Sequence, residues 1–273
     1  MTGAPPRPVR FADLGKRLAS GVVLAAIALL QLWAGGGWAA AFLIVVLTLM
    51  LWEYHRMVTG SEAPTAPALV VAVAAGAAAL VATAIWGPPR GLPVLAVGAL
   101  AVLAASGQWR GWLTAGFLYM TLAMGALLVF RHRELEGVLL ILWLVLVVVA
   151  ADVGAYFVGR RVGGRKLWPA VSPGKTWSGA FGGLAAAGLV GCVFAWLVVG
   201  WHPLRIGLLS LGIAVFSQFG DLLESFVKRR FGVKDASRLI PGHGGVMDRL
   251  DGVMGGVWFF AICDSLGIST FGS

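Results

Sequence analysis

Apolar residues run through this chain in long blocks separated by short polar breaks, and the blocks set the expected elements. About nine approach the length of a membrane-spanning helix: 18–33, 38–53, 67–86, 91–107, 112–130, 137–158, 179–200, 204–227 and 250–266. A helix crossing a hydrocarbon layer of roughly 30 Å needs about 20 apolar residues, so each block reads as one span with soft boundaries. The breaks carry turn-forming or charged residues: Gly35-Gly36-Gly37, Pro64 and Pro67, Gly87-Pro88-Pro89, and Arg131-His132-Arg133-Glu134.

Composition agrees with the pattern. The 273 residues are 59% hydrophobic and 12% charged, with a mean hydropathy of +0.88. Soluble domains do not carry repeated, nearly uncharged runs of spanning length. The expected fold is therefore an all-α polytopic integral membrane protein. Residues 1–17, with Pro5, Pro6 and Pro8 among four bases, read as a basic cytoplasmic tail. The run that follows, with Ala39-Ala40-Ala41 downstream, has the outline of a signal peptide. The repeated later spans favour an uncleaved anchor. Residues 18–130 form the N-terminal transmembrane region and 131–273 a C-terminal one that holds the candidate active site. Cys192 and Cys263 both lie in apolar runs and suggest neither a disulfide framework nor a zinc site.

The net charge of +9 changes the picture through its placement. With the N-terminus cytoplasmic, seventeen of the twenty-one bases fall on the inner side, and only Arg90, Arg131, Arg133 and Arg205 lie outside. Positive-inside topology and anionic lipid account for this more simply than nucleic acid does, so no nucleic-acid partner is expected. The same orientation places the polar loops 159–178 and 228–249 on the cytoplasmic side of the inner membrane, where nucleotides are available.

The chemistry is concentrated between Ser217 and Gly252, a window with five of the twelve acids. An ionisable side chain at a helix centre costs roughly 2.5–3.5 kcal/mol on an insertion scale, so such a cluster is by default a functional-site hypothesis. Asp221, Glu224, Ser225 and Lys228 recur at i, i+3, i+4 and i+7, one helix face. A turn at Pro241-Gly242-His243-Gly244-Gly245 follows, and Asp248, Arg249 and Asp251 open the next apolar run. Two carboxylate-bearing helix ends around a basic loop suit a divalent cation and an anionic phosphate held together. A helix-start Asp can also cap. Capping needs neither a second carboxylate one turn on nor a third on the preceding helix, so metal binding is favoured for Asp221 and Asp248. His243 reads either as an acid or ligand, or as a loop hydrogen bonder. Arg229 and Arg230 also fit as positive-inside residues. Glu53 and His55 read as interfacial caps with a structural role.

A second polar cluster closes the sixth span. Asp152 sits in an apolar helix, and Gly154 and Gly159 permit close approach of another helix. Ser172-Pro173-Gly174-Lys175-Thr176 ends like a P-loop, but Pro169 stands where the pattern requires Gly, so a Walker site is rejected. A basic, hydroxyl-bearing loop entering a helix N-terminus remains a good anion seat. Tyr156 and Trp177 read as interfacial aromatics.

The 27 residues from Ser225 to Asp251 resemble the signature of the phosphatidate cytidylyltransferase (CDP-diacylglycerol synthase) family. They carry the Ser, the Lys228-Arg229 pair, the Lys234-Asp235 pair, His243-Gly244-Gly245 and Asp248-Arg249-x-Asp251 at its spacing. Asp152-x-Gly-Ala-Tyr156-x-x-Gly159 and Ser172-Pro173-Gly-Lys175-Thr176-Trp177 are similar to its second region. Ser178 departs from the Glu or Gln of many members. The resemblance covers about the C-terminal 45% of the chain, and the first five spans match only in general character. It implies an integral membrane enzyme converting CTP and phosphatidate to CDP-diacylglycerol and pyrophosphate. It further implies Mg²⁺, with K⁺ as a second cation, and a homodimer. On this reading Asp221 and Asp248 ligate metal, with Asp251 a further or supporting carboxylate and Asp152 behind them. Lys175, Lys228, Arg229 and Arg249 contact phosphates, and Ser172 and Thr176 add hydroxyl contacts. The rivals are a cytidylyltransferase for another lipid phosphate and, from another class, a transporter. Transporters tend to place broken helices in both halves of the chain, whereas here the polar groups crowd into one half.

Overall fold

The computed structural model describes residues 26, 29–30, 33–61, 63, 66–198, 200–240 and 244–268. Eight α-helices are complete within these: α1 (Gly36–Thr59), α2 (Pro67–Trp86), α3 (Pro88–Ala105), α4 (Arg110–Arg131), α5 (Glu134–Val162), α6 (Trp177–Leu197), α7 (Pro203–Arg230) and α8 (Met247–Ser265). A single 3₁₀ turn, Gly107–Trp109, leads into α4, and a two-stranded antiparallel hairpin joins α5 to α6, with β1 at Lys166–Trp168 and β2 at Ser172–Thr176.

Seven of these helices, α1 to α7, are long and apolar enough to cross a membrane. They coincide with the apolar blocks to within a few residues, and the protein is an all-α polytopic membrane protein. Among the described residues seven spans are found, so the count of nine is not confirmed. The tail 1–17 and most of the block 18–33 lie outside the described residues. The last block forms α8, whose 19 residues include Asp248, Arg249, Asp251 and Asp264, too many charges for an ordinary span. At 28 residues, α7 is about 42 Å long at 1.5 Å per residue. It outreaches the hydrocarbon, which leaves its charged C-terminal turns free to build a site.

The helices pack as two sets, α1 to α4 and α5 to α8, joined through contacts of α4 with α5 and of α1 and α4 with α8. Phe130, Trp143 and Phe260 meet edge-on where the sets join, Trp143 against Phe260 at 5.7 Å. Buried Trp143 donates its Nε1 proton to Ser210 Oγ at 3.0 Å, so the ring is held in the apolar interior with its polar atom satisfied. Arg133, the N-cap of α5, pairs with Asp264 of α8 at 2.5 Å.

Helices α5 and α6 pack the most closely, for the reason the glycines suggested. A methyl group at Gly154 would lie 2.6 Å from Ala186 Cβ and 2.9 Å from the Gly182 carbonyl oxygen. One at Gly159 would lie 2.9 Å from Thr176 Oγ1. This approach lays the hairpin beside α7, where Arg229 Nε reaches the Val171 carbonyl at 3.5 Å.

Candidate active site

Three segments converge: the hairpin, the C-terminal turns of α7, and the loop residues 231–240 and 244–246 with the first turn of α8. On α7 the polar face expected from the sequence is present. Lys228 Nζ lies 2.7 Å from Asp248 Oδ1 and 3.1 Å from Glu224 Oε1, with only 13% of its side chain exposed. Both Glu224 oxygens are buried, and the Lys228 ammonium is the cation beside them. Three residues before Glu224 on the same face, Asp221 pairs with Lys175 of β2 at 2.6 Å and accepts a bond from Ser225 Oγ at 3.3 Å.

Asp248 is the organiser of the loop. Besides Lys228, its oxygens accept the backbone N–H of Ala236 at 3.0 Å and of Gly245 at 2.8 Å. Burial raises its carboxyl pKa, but the Lys228 hydrogen bond and the Gly245 amide outweigh it and hold the group below the ordinary carboxylate value. A carboxylate offers about four acceptor positions, and three donors, Lys228 and the two amides, already face Asp248. These contacts give Asp248 a capping role at the start of α8, beside the metal role expected from the sequence. Here Asp248 ties loop, helix start and Lys228 together.

Asp251, one turn along, accepts the N–H of Gly252 at 2.7 Å and lies within electrostatic reach of Asp221 and Glu224. Asp152 on α5 lies within reach of Asp221, Lys175 and Arg249. No group of three metal-ligating side chains forms among the described residues. Mg²⁺, however, is usually held by one or two carboxylates together with water and substrate phosphates. Asp221, about a third exposed and partnered by the Lys175 ammonium and the Ser225 hydroxyl, fits that mode, with Asp251 behind it.

Ser172 and Lys175 stand half-buried on β2, and Arg229 and Arg249 are exposed at the rim. Thr176 sits differently from the expected phosphate contact. It is buried, and its Oγ1 accepts the Gly179 N–H at 3.1 Å as the N-cap of α6. Thr176→Ser should then preserve the cap, while Thr176→Ala should lower stability by about 1 kcal/mol, read from unfolding in detergent. His243, with Pro241 and Gly242, lies outside the described residues.

The structure adds two groups that the sequence reading did not assign to the site. Glu224 is the second carboxylate on Lys228, legible as an i,i+4 pair. Glu53 of α1 is fully buried against the loop. Beside Glu224, a cavity of 290 Å³ opens between α1, α4, α7 and α8, lined by Tyr54, Trp112, Tyr119, Leu223 and Met254 among others.

A family model described as the cytidylyltransferase family matches residues 15–266. The chain belongs to that family. The match extends well beyond the C-terminal motifs and takes in the first five spans. Among its relatives in the family is a phosphatidate cytidylyltransferase of Brucella suis biovar 1 (strain 1330). It is 39% identical over 251 residues, covering 89% of this chain and 90% of that protein. One of Pseudomonas aeruginosa is 38% identical over 266 residues, 91% of this chain and 96% of its own. One of Haemophilus influenzae reaches 45% over 137 residues, 48% of each.

Proposed function

We propose that this protein is a phosphatidate cytidylyltransferase of the cytoplasmic membrane, forming CDP-diacylglycerol and pyrophosphate from CTP and phosphatidate. Full-length identity with relatives of that name supports the reaction. The observation that carries the site is the bracket of carboxylates and lysines, Lys175 on Asp221 and Lys228 on Glu224 and Asp248.

The chemistry suits that bracket. The nucleophile is a phosphate monoester, whose second pKa of about 6 leaves it largely dianionic at neutral pH. One of its oxygens attacks the α-phosphorus of CTP, the bond to the β-phosphate oxygen breaks, and pyrophosphate leaves, with no side chain required to remove a proton. The obstacle is repulsion between two polyanions. Lys175, Lys228, Arg229 and Arg249 lower it by standing where negative charge collects. Mg²⁺, when bound, supplies further neutralisation of the triphosphate. Asp221 and Asp251 would hold it, with Asp248 the third carboxylate, kept on Lys228. The apolar cavity beside Glu224 suits part of an acyl chain entering sideways from the inner leaflet. The N-terminus is cytoplasmic on the positive-inside count, and the working unit is a homodimer.

The test is an acceptor series. Purified protein should convert phosphatidate in the presence of CTP and Mg²⁺, lose activity on chelation, and regain it on adding Mg²⁺ back. Faster turnover of a polyprenyl phosphate than of phosphatidate would move the assignment to another lipid phosphate. Activity indifferent to chelation would remove the metal.

A further inference from the structure

Glu53 lies in the second apolar block, 184 to 194 residues before its partners, yet it holds the signature loop from the inside. Its Oε1 accepts Ser237 Oγ at 2.6 Å and the Val246 N–H at 2.9 Å, and its Oε2 accepts the Met247 N–H at 2.7 Å. Val246 and Met247 are the N-cap and first residue of α8, whose own cap residue supplies no side-chain bond. The opening N–H groups of a helix have no partner within it and carry its positive end. Glu53 therefore acts as the cap of α8, reached from another helix.

Gly245 records how tightly this is built. A methyl group there would lie 2.6 Å from Glu53 Oε1, while its N–H is already given to Asp248. One backbone unit thus lies between two carboxylates, one from α1 and one from α8. The fully buried Glu53 side chain makes bonds of the charge-assisted kind, which are strong and geometrically demanding. The turn that follows directly carries Asp248, Arg249 and Asp251, so the carboxylate that fixes Val246 and Met247 also fixes the rotation of those three about the helix axis.

We infer that Glu53 is a positioning residue for the nucleotide side of the site. Through the first turn of α8 it sets where Asp248 and Arg249 stand, and this rests on the cytidylyl-transfer reading above. It also gives the N-terminal helices a task in the reaction, since α1 delivers the carboxylate.

The experiment combines amide hydrogen exchange with substrate kinetics on the full-length protein in detergent, comparing wild type, Glu53→Gln and Ser237→Ala. Glu53→Gln keeps the volume but turns one acceptor into a donor. Exchange in the peptide holding Val246 and Met247 should accelerate about tenfold or more, the factor expected when charge-assisted bonds are lost, while the other helices keep their rates. The KM for CTP should rise about tenfold and that for phosphatidate should stay within about twofold, a split that a smaller folded fraction cannot produce. Ser237→Ala, which removes one bond of three, should shift both readouts in the same direction by a smaller factor. Unchanged exchange at Val246–Met247, acceleration spread over all helices, or an unchanged KM for CTP would each overturn the inference. A wild type that turns over no CTP would instead remove the reaction reading, and the exchange data alone would then decide whether Glu53 holds the turn.

Discussion

Lys228→Met should destroy both the activity and much of the stability of this protein. Lys228 is the cation paired with Glu224 and Asp248, whose side chains are 5% and 8% exposed. Removing it leaves two carboxylates buried together without the ammonium that balances them. Breaking a buried pair from one side typically costs about 3–5 kcal/mol, because the surviving charge keeps its desolvation cost and loses its partner. Asp248 would also lose the anchor that keeps it against the Ala236 and Gly245 amides, so the loop loosens. Product formation should fall by about a thousandfold or more as a phosphate-stabilising cation disappears, with the unfolding midpoint in detergent falling in parallel. Pairing the change with Glu224→Gln should recover part of the stability and none of the activity, since the neutral partner relieves the buried charge but does not restore the cation. A stable, active Lys228→Met protein would show that the bracket is peripheral to both.

Asp221→Asn should separate the two effects. Its partner is Lys175, and both side chains are a quarter to a third exposed, at 32% and 25%. A solvent-accessible pair of this kind contributes about 0–1 kcal/mol to stability, so the unfolding midpoint should hardly move. Turnover should nevertheless fall by about a hundred- to a thousandfold, as expected when a group acting on developing phosphate charge is lost. Half-maximal activity should require more Mg²⁺ in the variant than in wild type. Kinetics and unfolding measured on the same preparation check both halves. A variant that unfolds early but keeps its turnover per folded molecule would reverse the assignment.

How much of this was legible in the sequence follows physical lines. The bilayer requires long apolar helices and leaves them visible as blocks, so α1 to α7 emerge at nearly their observed bounds. The extensions beyond those blocks were less visible because polar turns continue a helix past the hydrocarbon, as α5 does to Val162 and α7 to Arg230. The hairpin falls where the sequence pattern predicts a loop. Its strands are three and five residues long, and β2 contains Pro173 and Gly174, residues depleted in strands. The polar face of α7 was visible from spacing alone, and the glycines of α5 announced the close packing on α6.

The loop chemistry was harder to read. That Asp248 binds two amides and a lysine depends on Ala236 and Gly245 both being brought against the start of α8, which no local pattern encodes. Thr176 is similar: a hydroxyl before a helix fits both a phosphate contact and a cap, and only the 3.1 Å bond from Gly179 distinguishes them. Glu53 was expected to act as a cap at its own helix end. It is a cap, but for a helix almost two hundred residues later, and nothing in the composition around it names that partner.

The most direct test of the account is the fate of the individual phosphates of CTP. Purified protein in mild detergent would receive phosphatidate with CTP labelled either at the α- or at the γ-phosphate. Cytidylyl transfer predicts α-label in the lipid product and γ-label in pyrophosphate, both dependent on phosphatidate. Label from the γ-phosphate in lipid, or folded protein that moves neither label with any lipid phosphate, would contradict it.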